Sequence, residues 1–150
     1  MNMPDYLSSH LSMAEFIQTS HRGIDNTLPS ELLSAAMNTA QMLERIRSSL
    51  GNKAVLVSSG YRCLKLNRAV GSGDSSDHLK AMALDFIVPS FGTPYEVAKH
   101  IAQHIEELQV GQLIHEFGRW VHVSTRTPGK LINRIITYSS SGTAVGINRV

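Results

Sequence analysis

One cysteine among 150 residues, Cys63, rules out an intrachain disulfide and leaves nothing that argues for an oxidising compartment. Stability therefore has to come from a hydrophobic core, and an apolar content of 42% at this length is enough to build one. Cys63 itself reads as a small buried apolar side chain. Clustered basic residues are missing as well. The formal charge is only +2, Lys and Arg are scattered, and no aromatics are interleaved with them, which argues against nucleic-acid binding. No apolar stretch approaches the roughly 20 residues of a membrane span, so no membrane partner is expected. Met1 to Tyr6 lacks a basic start followed by an apolar segment, so synthesis in the cytoplasm without a signal peptide is the expectation. Repeats and long linkers are absent too. A single domain over residues 1–150 is expected, with a core spanning about 10–138 and a flexible polar tail beginning near Ser139.

What is present reads as alternating helices and strands. Ser12 and Glu15 form a capping box that opens a short helix, with Leu11 and Phe16 placed to staple it. Pro29 begins a long helix whose Leu32, Leu33, Ala36, Met37, Ala40, Leu43, Ile46 and Leu50 recur at spacings of three and four, and Gly51 stops it. Met37 and Met42 are read as packing residues. Residues 54–58 form a β-type run, and Asn67 to Ser75 is a Gly/Ser/Asp loop. Thr93 and Glu96 make a second capping box with Pro94 at the first helical position, opening a helix that runs past Leu108 toward Gly111. Residues 131–138 are β-rich and predict a closing or edge strand. Together these elements predict an α+β fold, one mainly antiparallel sheet with helices packed on it.

The chemistry concentrates in two stretches. Ser75 to Phe86 sets His78 and Asp85 seven residues apart, and an aspartate between Leu84 and Phe86 is costly to bury unless a positive charge compensates it. A metal ion beside a histidine does so. In the second stretch, an extended run from Trp120 to Ser124 places Trp120, His122 and Ser124 on one face and Val121 and Val123 on the other. Two histidines and one carboxylate around an open position are the ligand set of a catalytic zinc site, so Zn2+ held by His78, Asp85 and His122 is the expected cofactor. Glu116 is the group placed to take a proton from a water there. His115 has the opposite strand parity and is expected to point away. His100 and His104 lie one helical turn apart but outside the apolar set and without an acidic partner motif, which makes them a weaker candidate pair.

Ser76-x-His78-x-x-Ala81-x-Ala83-x-Asp85 resembles the S-x-H-x-x-G-x-A-x-D signature of the zinc D-Ala-D-Ala carboxypeptidase family. Glu116 with Trp120-x-His122 is similar to its second motif, and Ser59-Gly60-Tyr61-Arg62 to its substrate-side arginine motif, as in phage endolysins and prophages. The resemblance covers roughly residues 10 to 126. It implies a hedgehog/DD-peptidase-like fold and a peptidase acting on the peptides of the bacterial cell wall, delivered by phage or prophage lysis or in a virion. Arg62 would then be catalytic beside Glu116, and Ser76, Trp120 and Tyr61 would contact substrate. Ala81 stands where the family usually has glycine, so a positive φ there is strained. A non-catalytic zinc-stabilised binding module or a virion structural domain of the same fold is the alternative.

Overall fold

Both capping boxes form, and they fix the two ends of the helical layer. Ser12 Oγ accepts from the Glu15 amide while Glu15 Oε1 accepts from the Ser12 amide, each at 3.0 Å, and this opens α1 (Met13–Phe16). Leu11 and Phe16 are completely buried beside it. The Thr93–Glu96 box opens α4 (Pro94–Gln103), which buries Val97, Ala98 and Ile101. The computed structural model describes residues 2–150; Met1 lies outside the described residues.

Between them a 3-10 turn at Ser30–Leu32 leads into α2 (Leu33–Ser49), which buries the expected stripe of Ala36, Ala40, Leu43 and Ile46. Met42 is fully buried, but Met37 points outward and is 44% exposed, so it is no packing residue. The helix expected to run from Pro94 past Leu108 breaks in two. His104 Nδ1 donates to the His100 carbonyl at 2.8 Å, the group its own backbone N–H would use, and that N–H turns to Ile101 instead. A side chain has displaced the helix's backbone bond, and the short α5 (Ile105–Leu108) follows as a separate turn.

Six further strands build the main sheet: β3 (Leu56–Ser59), β4 (Ala83–Ile87), β5 (Gln112–Glu116), β6 (Trp120–Ser124), β7 (Ile135–Ser139) and β8 (Gly142–Val145), in the order β3-β4-β6-β5-β7-β8. Every pairing is antiparallel except β5 with β7. A small pair, β1 (Tyr6–Ser8) with β2 (Leu11–Ser12), lies outside it. The architecture is thus the α+β fold with a mostly antiparallel sheet read from the sequence. Among the described residues, no helix is long and apolar enough to cross a membrane.

Strand alternation divides the sheet into two faces. Val57, Leu84, Phe86, Leu113, Val121 and Val123 join the helices in one core. Asp85, Ile114, Glu116, Trp120 and His122 turn the other way and line a cleft of about 810 Å³. β5 and β6 are joined by a tight turn in which the Arg119 amide donates to the Glu116 carbonyl at 2.9 Å. Phe117 and Gly118 there have φ of 57° and 70°, the signature of a type I′ hairpin turn.

Two expectations are corrected at the C-terminal end. Residues 131–134 form a short helix, α6 (Leu131–Arg134), before β7 begins. The stretch beyond Ser139 is not a loose tail: β8 pairs back on β7, and the Asn148 amide donates to Thr137 Oγ1 at 3.0 Å. β5 offers a free edge of backbone donors and acceptors, and the β-branched run Ile135-Ile136-Thr137 occupies it. Cys63 is also reassigned. It is half-buried and caps α3 (Leu64–Ala69), its Sγ accepting from the Leu66 amide at 3.4 Å.

Candidate metal centre

His78 sits in a 3-10 turn, Asp77–Lys80, capped at its start by Ser76, whose Oγ accepts from the His78 N–H at 3.2 Å. The turn ends at Ala81, which adopts φ 57° and ψ 31°, the left-handed conformation that glycine takes most easily. The Thr39 hydroxyl donates to the Ala81 carbonyl at 2.8 Å and holds this strained residue in place. The imidazole of His78 meets the Gly60 carbonyl at 2.6 Å through Nδ1. A carbonyl only accepts, so Nδ1 carries the proton and Nε2 presents its lone pair. That Nε2 is buried, has no hydrogen-bond partner, and lies 3.3 Å from Asp85 Oδ2.

Asp85 and His122 face each other across the β4–β6 ladder, with His122 Nδ1 2.8 Å from Asp85 Oδ1. His78, Asp85 and His122 are all buried, and their donor atoms lie within 4.8 Å of one another. Bonds of about 2.1 Å to a shared tetrahedral ion bring ligand atoms to about 3.4 Å apart, so small side-chain rotations close this set. Protonation favours the same reading at two of the three groups, Asp85 and His78. Burial alone would push the Asp85 carboxyl up, but the hydrogen bond from His122, with both imidazoles close beside it, outweighs burial and holds Asp85 well below the usual carboxylate range. Burial pushes the His78 imidazole down, against the pull of Asp85, and so keeps it neutral. Burial acts likewise on His122, but Asp85 and Glu116 overcome it and raise that group. An orphaned nitrogen, an ionised carboxylate and a second imidazole in one buried corner fit a divalent cation.

Two further groups flank the cluster. Glu116 Oε1 is 3.8 Å from His122 Nδ1, and burial, reinforced by the Asp85 charge, pushes its carboxyl above the usual range. The Arg62 guanidinium is 3.7 Å from Asp85 Oδ2, with its Nε buried and unpartnered. Ser76 and Trp120 line the same cleft. Tyr61 does not; it is buried in the hydrophobic core, which removes it from the substrate contacts expected of it. His115 points to the opposite face, as strand parity requires, its Nδ1 3.0 Å from the Asn148 carbonyl. His100 is taken up by the Ser49 hydroxyl at 2.7 Å and by stacking on His104; Glu107 Oε1 lies 3.9 Å from His104 Nε2, but among the described residues these groups do not form a three-ligand cluster.

A sequence profile of the Peptidase M15 family matches residues 9–124, from just before β2 to the end of β6, and takes in every member of the cluster. The chain belongs to the Peptidase M15 family. No curated protein matches the chain. M15 peptidases are metal-dependent, typically with zinc, and the His78-Asp85-His122 cluster is where this M15 chain could hold the ion. Other parts of the M15 site escaped the sequence. Asp77 is buried and accepts from Ser124 Oγ at 2.7 Å and from Arg126 Nη2 at 3.2 Å, tying the His78 turn to the strand that carries His122. The alternation that found His122 also put Ser124 on this face, so half of that link was visible. Tyr138 and Phe117 line the cleft as well, and no local pattern announced either.

Proposed function

We propose that this M15 chain is a zinc-dependent peptidase that hydrolyses peptidoglycan stem or cross-bridge peptides, as an endolysin-like carboxypeptidase or endopeptidase. The observation that carries the reading is the buried His78-Asp85-His122 set with Glu116 3.8 Å from one ligand. The cell-wall substrate is supported by the motif resemblance around Ser76, Arg62 and Trp120, and a wall-degrading role in phage or prophage lysis suits that resemblance.

A bound zinc ion supplies a Lewis acid and brings the pKa of a coordinated water down to about 7. Glu116 accepts the proton of the attacking water. Its carboxyl, pushed up by burial, holds that proton long enough to hand it to the departing amine. Arg62 lines the cleft beside Asp85 and donates to the carbonyl oxygen of the scissile bond as negative charge develops there. Ser76, whose oxygen already accepts from His78, has its O–H left to donate to the substrate backbone. Trp120 walls the cleft and keeps water from its side of the bond.

The test is purified protein with zinc incubated with bacterial sacculi. Release of new amine termini by the wild type, lost in Glu116→Ala, is the expected result. Retention of muropeptides without any cleavage would mark the protein as a recognition module instead, and cleavage undiminished in Glu116→Ala would remove Glu116 from the mechanism.

A further inference from the structure

The parallel β5–β7 pairing puts Glu116 directly beside Tyr138, and the antiparallel β5–β6 pairing puts Glu116 directly beside Trp120. Three neighbouring strands therefore carry Trp120, Glu116 and Tyr138 in one row on the cleft face, with the carboxylate between two aromatic rings. Phe117 covers the end of the row. Its ring centroid lies 6.4 Å from Trp120 and 6.3 Å from Tyr138, and its amide donates to the Tyr138 carbonyl at 2.9 Å. The left-handed backbone at Phe117 is what keeps this apolar ring, 46% exposed, at the rim. Trp120 Nε1 is buried without a hydrogen-bond partner. Tyr138 comes from β7, beyond the 9–124 span shared with the family.

Direction across the sheet gives the row its meaning. Arg62 stands at the Asp85 side, on the flank of β3 and β4, and Tyr138 stands three strands away from β4, about 14 Å across at ordinary strand spacing. A peptide whose scissile carbonyl points to Arg62 and whose amine points to Glu116 runs onward over the aromatic row.

We propose that Phe117, Trp120 and Tyr138 form the subsite for the part of the substrate that leaves with the amine, with the Tyr138 hydroxyl donating to a peptide carbonyl or carboxylate there. The rings offer flat apolar area and the phenol offers the directional contact, a combination suited to an extended peptide strand and unsuited to a lone water. The inference rests on the peptidase reading and adds to it a binding role for a strand that lies outside the family's common span.

Trp120 is the only tryptophan of the chain, so its fluorescence reports on this row directly. The experiment titrates soluble muropeptides into Glu116→Gln, which blocks turnover, and into Glu116→Gln combined with Tyr138→Phe. One hydrogen bond of about 0.5–1.5 kcal/mol corresponds to a loss of roughly 2–13-fold in affinity, and that is the expected shift of the midpoint. In the otherwise unaltered enzyme, Tyr138→Phe should raise KM by a similar factor with kcat held and with the melting temperature and zinc content of the wild type. An active wild type whose Tyr138→Phe form binds and turns over muropeptides identically overturns the subsite alone. A wild type that neither binds nor cleaves them overturns the peptidase reading and the subsite with it.

Discussion

Gly60 is the point where core packing and metal chemistry meet, and alanine there is the most informative single change. A Cβ at Gly60 would lie 2.4 Å from the Phe16 carbonyl oxygen and 2.5 Å from Phe16 Cδ1, whereas real contacts do not fall below 3.0 Å. Neither atom can yield. Phe16 is fully buried, and its carbonyl already accepts from the Tyr61 amide at 2.8 Å. The backbone at Gly60 must therefore move by about 0.6 Å, and overpacking of this kind costs about 1–3 kcal/mol. At about 2–4 °C per kcal/mol for a chain of this size, the metal-free variant should melt about 2–12 °C lower. The same movement carries away the Gly60 carbonyl that orients His78 from 2.6 Å, and loss of such a partner lowers metal affinity about 10–100-fold. Melting in chelator measures the first effect, and zinc titration against a competing chelator measures the second. Gly129→Ala, whose Cβ would meet nothing within 4 Å, is the control and should match the wild type in both. A Gly60→Ala protein that melts lower yet binds zinc as the wild type does would refute the proposed orientation of His78; one that melts unchanged would refute the packing argument.

Three other outcomes are expected. Arg62→Gln should lower kcat on muropeptides about 10²-fold in steady-state assays, because a guanidinium aimed at developing charge acts mainly in the transition state; an unchanged kcat would remove it from catalysis. Burial, against the Asn148 carbonyl, holds the His115 pKa below its ordinary 6.5, so the stability this neutral ring contributes is present above that value and lost as pH falls through the folded-state pKa. In chelator, the melting temperature of the wild type should consequently drop more between pH 7.5 and pH 5 than that of His115→Gln, and equal drops would contradict this. Zinc at 100 times its dissociation constant should stabilise the fold by about 2.7 kcal/mol, so chelation should lower the melting temperature by about 5–11 °C; a protein indifferent to chelator would lack the metal.

Local rules were legible wherever the decisive partners lie a few residues apart. The two capping boxes are short-range hydrogen-bond patterns, and both formed. Alternation alone placed Trp120, His122 and Ser124 on one face and sent His115 to the other. Ala81 stood out because its neighbours matched a motif that calls for glycine, and its φ of 57° shows the same need met at a strain. What stayed hidden depends on contacts across the chain. Tyr61 was expected to contact substrate because it belongs to the motif that carries Arg62, yet its ring packs in the hydrophobic core. The helix break at His104 required a side chain to outcompete a backbone donor. The C-terminal hairpin is polar in composition, but it had a free sheet edge to join, and only that pairing brings Tyr138 beside Glu116.

The central claim is that His78, Asp85 and His122 converge on one divalent cation. Calorimetric titration of the metal-free protein with zinc tests it most directly, run alongside Asp85→Ala. The account predicts uptake of one ion per chain by the wild type and none at that site in the variant. A wild type that takes up no zinc, or a variant that takes it up with the same affinity, would contradict it.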